Sequence, residues 1–218
     1  ERCESAKVDN PEQIYNIHME YIDSGCRAIK TNTFAANFDN FDGDYGYLKE
    51  VITKGWDIAN KAAKGRGVFV FADIGPVQSS GDRPTGEKYI ETADIFLELQ
   101  EQGAHNINLV TAGHYLPWVC EALDMARPGL HIPVVYNTGG YETPEAVAAL
   151  RGYVDIWLAD VKYRSPELSA EYSNAPDYFE AARTAVKAMI AQAGPPVLDG
   201  QGLMRSGVIL RHLALPGA

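Results

Sequence analysis

The 218-residue sequence predicts an α/β chain: a partial (β/α) TIM-like barrel of about six parallel strands. Three observations carry that expectation. Short apolar runs alternate with amphipathic helical segments, so each strand is separated from the next by a helix, the connection that parallel strands require. The runs are rich in Val, Ile and Leu, as expected of strands covered on both faces. A complete eight-unit barrel typically takes about 250 residues, more than this chain has. A doubly wound sheet is the alternative, weakened because no G-x-G-x-x-G follows the first strand.

The elements follow in order. Asn10-Pro11 opens a helix with Gln13 at the capping-box position, Ile14, Ile17, Tyr21 and Ile22 as its apolar face, and Gly25 as terminator. "RAIKTNTF" (27–34) reads as a strand, and 47–65 as a helix with Leu48, Ile52, Ala59 and Ala62 inward. Strand 68–75, helix 87–103, strand 105–110, helix 114–127 and strand 132–138 continue the alternation. A short helix begins at Thr143-Pro144, followed by strand 154–161, helix 177–193 and a final strand over 207–215. The Gly/Ser/Asp/Pro stretch 77–87 is the most loop-like segment, and there is no short-period repeat.

Composition narrows the function. An apolar fraction of 46% supports a globular core without staples. A formal net charge of −10 argues against nucleic acid as a partner, which needs a dense Lys/Arg footprint. No apolar run reaches membrane-spanning length and no signal-peptide pattern opens the chain, so a cytoplasmic location is expected and no membrane partner. Cys3, Cys26 and Cys120 are odd in number and far apart, which fits a reducing compartment and gives neither disulfide framework nor metal spacing. Without an initiating Met, and ending on "LALPGA", the sequence reads as a piece of something longer.

Chemistry in parallel α/β folds collects where strands enter their loops. Those ends carry Thr31, Asn32 and Thr33; Asp73; Thr111 and His114; Asn137 and Thr138; Asp160 and Lys162; and Arg211 and His212. Thr and Asn alone have a bland explanation as turn caps. Asp160 and Lys162, two apart in "VDIWLADVKY", point the same way at a strand exit. They form either a mutual salt bridge or a grip on a zwitterion, with Lys162 facing its carboxylate and Asp160 its ammonium or a bound cation. His18 and His131 read as surface or helix-edge residues and His105 as structural, while His114 and His212 lie near the mouth.

From about Phe96 onward the chain resembles the radical S-adenosylmethionine enzymes, in the branch of the pyruvate formate-lyase activating enzyme. The resemblance rests on "LELQEQGAHNINLVTAGHY", "IPVVYNTGGYE", "VDIWLADVKY", "YSNAPDYFEAA" and "GLMRSGVILRHLALPG". It implies that Thr111, His114, Asn137, Thr138, Asp160, Lys162 and Arg211 face S-adenosylmethionine, and it implies a glycyl-radical-type protein as substrate. Two departures stand against it. "TAGH" replaces the expected Thr-Pro-Thr-His, and the C-x-x-x-C-x-x-C that holds a [4Fe–4S] cluster is absent, so the chain alone is expected to be inactive in that chemistry.

The first part, roughly 1–98, resembles the homocysteine S-methyltransferase family through "NPEQIYNIHMEYIDSGCRAIKTNTFAANFDNF" and "VFVFADIGPVQ". That resemblance implies a barrel fold and places Thr31, Asn32, Thr33 and Asp73 near a homocysteine pocket. It also implies zinc, whose Gly-Gly-Cys-Cys thiolates this chain lacks. The two resemblances meet in "ETADIFLELQEQG", so the expectation is a chimera of half-barrels, 1–98 and 99–218, forming one continuous domain. Activating-enzyme-like binding of S-adenosylmethionine is the leading functional expectation. Methyl transfer to homocysteine is the alternative, and a non-catalytic chimeric scaffold the third. An incomplete barrel leaves sheet edges open, which favours self-association.

Overall fold

The computed structural model describes residues 3–36, 39–41, 44–74 and 86–212. Most of the 77–87 loop, Gly75-Pro76 and the last three residues of the expected final strand (213–215) lie outside the described residues. Contacts group the chain into two compact units: Glu1–Val110 with Pro117–Ile132, and Thr111–Leu116 with Pro133–Ala218. The α/β class, with the parallel βα rhythm of a partial TIM-like barrel, is what the structure has.

In the first unit a short helix α1 (Ala6–Asp9) precedes α2 (Pro11–Asp23), β1 (Ala28–Lys30), α3 (Tyr45–Ala63), β2 (Phe69–Ile74), α4 (Gly86–Glu101) and β3 (Ile107–Val110). The helix α5 (Leu116–Ala126) follows. β2 pairs in parallel with β1 on one side (Ile29↔Val70) and with β3 on the other (Asp73↔Asn108). α3 explains much of the core. Leu48, Val51, Ile52, Trp56, Ala59 and Ala63 recur at helical spacing and are all buried. Burial of each large apolar side chain stabilises by roughly 1.5–3 kcal/mol. Asp44 starts this helix by accepting the Tyr47 N–H at 2.9 Å. On the strands Val70, Ala72, Ile107 and Leu109 are buried on one face, leaving Asp73 and Asn108 for the other.

The second unit holds β4 (Val134–Thr138), α6 (Pro144–Ala149), β5 (Ile156–Asp160), α7 (Pro166–Ser173), α8 (Tyr178–Ala193), β6 (Val197–Leu198) and β7 (Met204–Arg211). β5 lies between β4 and β7, parallel to both, with Asn137↔Leu158 and Asp160↔Arg211 in register. Thr143 and Ser165 cap α6 and α7 through Ala146 N–H and Leu168 N–H.

Several boundaries move. The first strand expected over 27–34 ends at Lys30, because Asn32 takes a left-handed conformation (φ 57°) that no strand continues through. Asn10 makes no side-chain cap at α2, so the expected capping box is absent. Helix α7 and the antiparallel β6–β7 pair have no counterpart in the sequence reading, which expected helix between all strands. Asp199 makes that turn: its Oδ1 accepts Gln201 N–H and Leu203 N–H, both at 2.9 Å, and Arg205 pairs with its other oxygen at 2.9 Å. Among the described residues no helix is long and apolar enough to cross a membrane.

Candidate functional site

Each unit gathers polar side chains at the ends of its parallel strands. In the first, a closed ring of hydrogen bonds joins the exits of β1 and β2. Asp73 N–H donates to Thr31 Oγ1 at 3.1 Å, the two threonine hydroxyls meet at 2.7 Å, and Thr33 Oγ1 donates to the Asp73 carbonyl at 2.5 Å. With the Thr33 proton given to that carbonyl, Thr31 must donate to Thr33, so each hydroxyl both accepts one hydrogen bond and donates one. The ring is buried and fixes the Asp73 backbone.

The Asp73 carboxylate then sits between two donors. Lys30 Nζ lies 2.9 Å from one oxygen, and Asn108 Nδ2 donates to the other. Asp73 is buried, whereas Lys30 is nearly half-exposed. Lys30, Asn32 and Asp73 line one side of a cavity of about 500 Å³, and Ile14, Ile17 and His18 of α2 line the other. Lys30 and Asn108 are site residues that the sequence reading missed. The signal was available, since two residues apart on a strand share a face and Asn108 stands in register with Asp73.

Gly55 of α3 supports the threonine ring from behind. A Cβ there would lie 2.8 Å from the Thr31 carbonyl oxygen, 2.9 Å from Thr33 Cγ2 and 3.0 Å from Lys7 Cδ. Gly55→Ala is therefore expected to cost about 1–3 kcal/mol. Urea unfolding checks this: the midpoint falls with the slope unchanged, and an unaltered midpoint would show that the contact is relaxed at no cost.

His18 corrects an expectation. It is not at the surface but 7% exposed, because α2 turns it toward the cavity and away from solvent. Its Nε2 has no hydrogen-bond partner. Burial, followed by the charge of Lys7, lowers its pKa below the ordinary 6.5. The unfolded chain then binds this proton more readily than the folded one. Stability is expected to fall as pH drops below about 6.5, down to the lowered folded value. In His18→Phe that part of the pH dependence disappears, as denaturant titrations across the range would show. Ile17 and Tyr21, expected in the apolar core face, are 40% and 62% exposed.

In the second unit Asn137, Asp160 and Arg211 converge. Arg211 donates through Nε to Asp160 Oδ1 at 2.5 Å and through Nη2 to Asn137 Oδ1 at 3.2 Å. Lys162 Nζ stands 3.6 Å from Asp160 Oδ2. The acid and amine of the β5 exit thus form a salt bridge shared with Arg211 of β7, one carboxylate between two cations. Tyr178 holds this corner: its hydroxyl accepts Lys162 N–H at 3.0 Å and shares its proton between the carbonyls of Gly139 (2.9 Å) and Asp160 (3.0 Å). Burial is the largest cause of a raised Tyr178 pKa, so the phenol stays protonated as this role needs.

Thr138 does not join that cluster. It donates to Glu142 Oε1 at 2.6 Å, to which the buried Tyr136 hydroxyl also donates at 3.3 Å. Thr111 adopts a left-handed conformation (φ 55°) and donates its N–H to the Asn137 carbonyl at 2.9 Å. His114 is exposed, edge-on to Tyr115. His212 Nδ1 lies 2.7 Å from the Val161 carbonyl oxygen. Glu142 and Tyr178 were missed, since neither lies at a strand exit in the sequence.

The zinc that the first-half resemblance implies does not fit. Among the described residues, no three His, Cys, Asp or Glu side chains are grouped to hold a metal ion. Cys26 donates to the Ala28 carbonyl at 2.7 Å, and burial raises the Cys120 thiol pKa, the opposite of a metal-ready thiolate.

The profile of the homocysteine S-methyltransferase family matches residues 2–112, about half of the chain and the half that holds Lys30, Asp73 and Asn108. Methionine synthase of Mycobacterium tuberculosis is 29% identical over 220 residues, covering 88% of this chain and 18% of its own length. An uncharacterised protein of Methanocaldococcus jannaschii is 31% identical over 86 residues, 39% of this chain and 21% of that protein. The chain thus spans about a fifth of the length of the curated relatives it matches. The homocysteine methyltransferase MmuM of Escherichia coli, solved without ligand, shares the fold at a TM-score of 0.59 and 15% identity, covering 97% of this chain and 83% of that one. These findings correct the leading expectation. The methionine synthase match covers 88% of the chain and so reaches well into the half read as radical S-adenosylmethionine-like, and no match supports that activity, S-adenosylmethionine or a [4Fe–4S] cluster. The chain belongs to the homocysteine S-methyltransferase family.

Proposed function

We propose that the chain supplies the homocysteine-binding part of an S-methyl transfer reaction, with the ligand seated over the exits of β1 and β2. The observation that carries this reading is the buried Asp73–Asn108 pair, with the half-exposed Lys30 on the same carboxylate, beside the 500 Å³ cavity. A buried carboxylate with an ammonium at its rim is complementary to a zwitterion. Asp73 takes the ligand's amino group and Lys30 swings to its carboxylate, while Ile14 and Ile17 pack on the methylene chain. Asn108 and the threonine ring hold Asp73 in place, so the site is ordered before the ligand arrives.

The family name supplies the reaction class: the sulfur of homocysteine takes a methyl group from a donor. The chain's own residues orient the amino acid and exclude water from its side chain. Calorimetry of the full chain with L-homocysteine tests this. Saturable heat is expected, weaker with methionine, the S-methylated product, and no heat from a folded sample would overturn the reading. A non-catalytic binding scaffold is the second reading, favoured by the missing metal-ligand set among the described residues. Homocysteine binding without methyl transfer from any added donor would select it.

A further inference from the structure

We propose that the outer side of β7, in the second unit, is a dimerisation edge: residues 208–212 pair antiparallel with the same residues of a second copy, about a two-fold axis through Leu210. Such pairing is independent of homocysteine binding at the first unit.

β7 is paired along only part of its outer side. Its inner side meets β5 from Ile156↔Gly207 to Asp160↔Arg211. Gly207 N–H donates to the Asp155 carbonyl, and Val161 N–H donates to the Arg211 carbonyl, so the odd-numbered residues of β7 aim their backbone groups at β5. The even-numbered ones aim theirs outward. There β6 pairs with Met204 and Ser206 and goes no further, because the preceding Pro196, beside Gly207, has no N–H to continue the ladder. Beyond that level, among the described residues, no strand lies outside Val208 and Leu210. Ile209 and Leu210 are 42% and 54% exposed, and an unpaired apolar edge is a template for another strand.

A second copy fits this edge. Leu210 falls opposite its own equivalent and Val208 opposite His212, each an outward-facing pair able to exchange N–H and C=O. Ile209 lies across from Arg211, whose methylene stem covers it, so no two like charges stand directly opposed. Arg211 is already paired with Asp160 and Arg205 with Asp199, so the edge suits a neutral strand rather than an acidic one. The paired stretch ends at His212, one step short of the level where Pro196 and β6 would block it.

Sedimentation velocity of the full chain over a concentration series tests this. Salt at about 0.15 M screens the repulsion between two chains of net charge −10 beyond about 8 Å. A reversible dimer is expected, with a Kd on the order of 10 μM, since a strand edge is smaller than a standard interface. Leu210→Lys sets like charges against each other at the axis and is expected to weaken dimerisation about tenfold. Leu210→Cys is expected to cross-link two copies on mild oxidation, because the Cα atoms of a hydrogen-bonded antiparallel pair lie about 5.5 Å apart, within disulfide reach. Leu198→Cys, equally exposed on β6 but away from the axis, should cross-link more slowly. A native chain that is monomeric at every concentration overturns the proposal and leaves the edge to a strand of another protein. A dimer unaffected by Leu210→Lys, or equal cross-linking in the two cysteine variants, puts the interface elsewhere and overturns it too. If Leu210→Lys does not fold, the cysteine variants decide alone.

Discussion

Gly140→Ala is expected to destabilise the second unit by about 3 kcal/mol or more, among the largest effects of a single methyl group in this chain. Two costs add. Gly140 has φ +82°, in the left-handed region where a Cβ is strained. That Cβ would also overlap the Asp160 carbonyl oxygen and lie 3.3 Å from Tyr178 Oη. The carbonyl cannot yield freely, because it accepts from Tyr178 and ends the central strand β5. Relief therefore means moving the Asp160 backbone, and with it the carboxylate that Arg211 and Lys162 share. Denaturant unfolding followed by the fluorescence of buried Trp157 would report the loss. A midpoint within experimental error of the native chain would show that the Gly139–Gly140 turn is not held against Asp160 in solution. Gly152→Ala is the control: it has a similar φ of +82° but no atom within 4 Å of its Cβ, so it isolates the backbone strain.

The second large effect is on binding. Asp73→Asn keeps the size of the side chain and an oxygen for the Asn108 amide, but it sets an NH₂ group toward Lys30. Homocysteine affinity is expected to fall at least about tenfold, since the ligand ammonium loses its counter-charge in a buried place. Stability should change by only about 1 kcal/mol, because the lost ion pair involves a half-exposed lysine. Asp73→Ala removes both acceptors. It leaves the Asn108 amide unpartnered in a fully buried position, so it is expected to cost an additional 1–3 kcal/mol or so in folding. Calorimetry and urea titration on both variants separate the two roles. Unchanged homocysteine affinity in a folded Asp73→Asn would place the amino-acid site elsewhere.

How far the sequence was legible depends on the range of the interaction. The parallel α/β rhythm was readable because it depends on local periodicity: the Leu48, Ile52, Ala59 and Ala62 stripe of α3 and the Val/Ile/Leu strands each announce themselves within one element. The strand-exit rule found Thr31, Thr33 and Asp73, and Asn137, Asp160 and Arg211, and each trio does meet in space. Parallel register alone brings such positions together. The same rule failed for Thr138, which faces Glu142, and for the extent of β1, which a left-handed Asn32 cuts short. The family resemblance of the first half held, while that of the second was overturned by the comparisons.

His18 marks the boundary between the two kinds of knowledge. Its place on α2, the helix itself and the alternation of strands were determined by sequence, because backbone hydrogen bonding and apolar periodicity act between near neighbours. Whether that imidazole faces water or a cavity, and whether Asp73 meets Lys30 and Asn108, was decided only by tertiary structure. These outcomes depend on how α2 is rotated against β1 and on pairing between strands whose site residues lie 35 to 43 positions apart, and no local pattern encodes either.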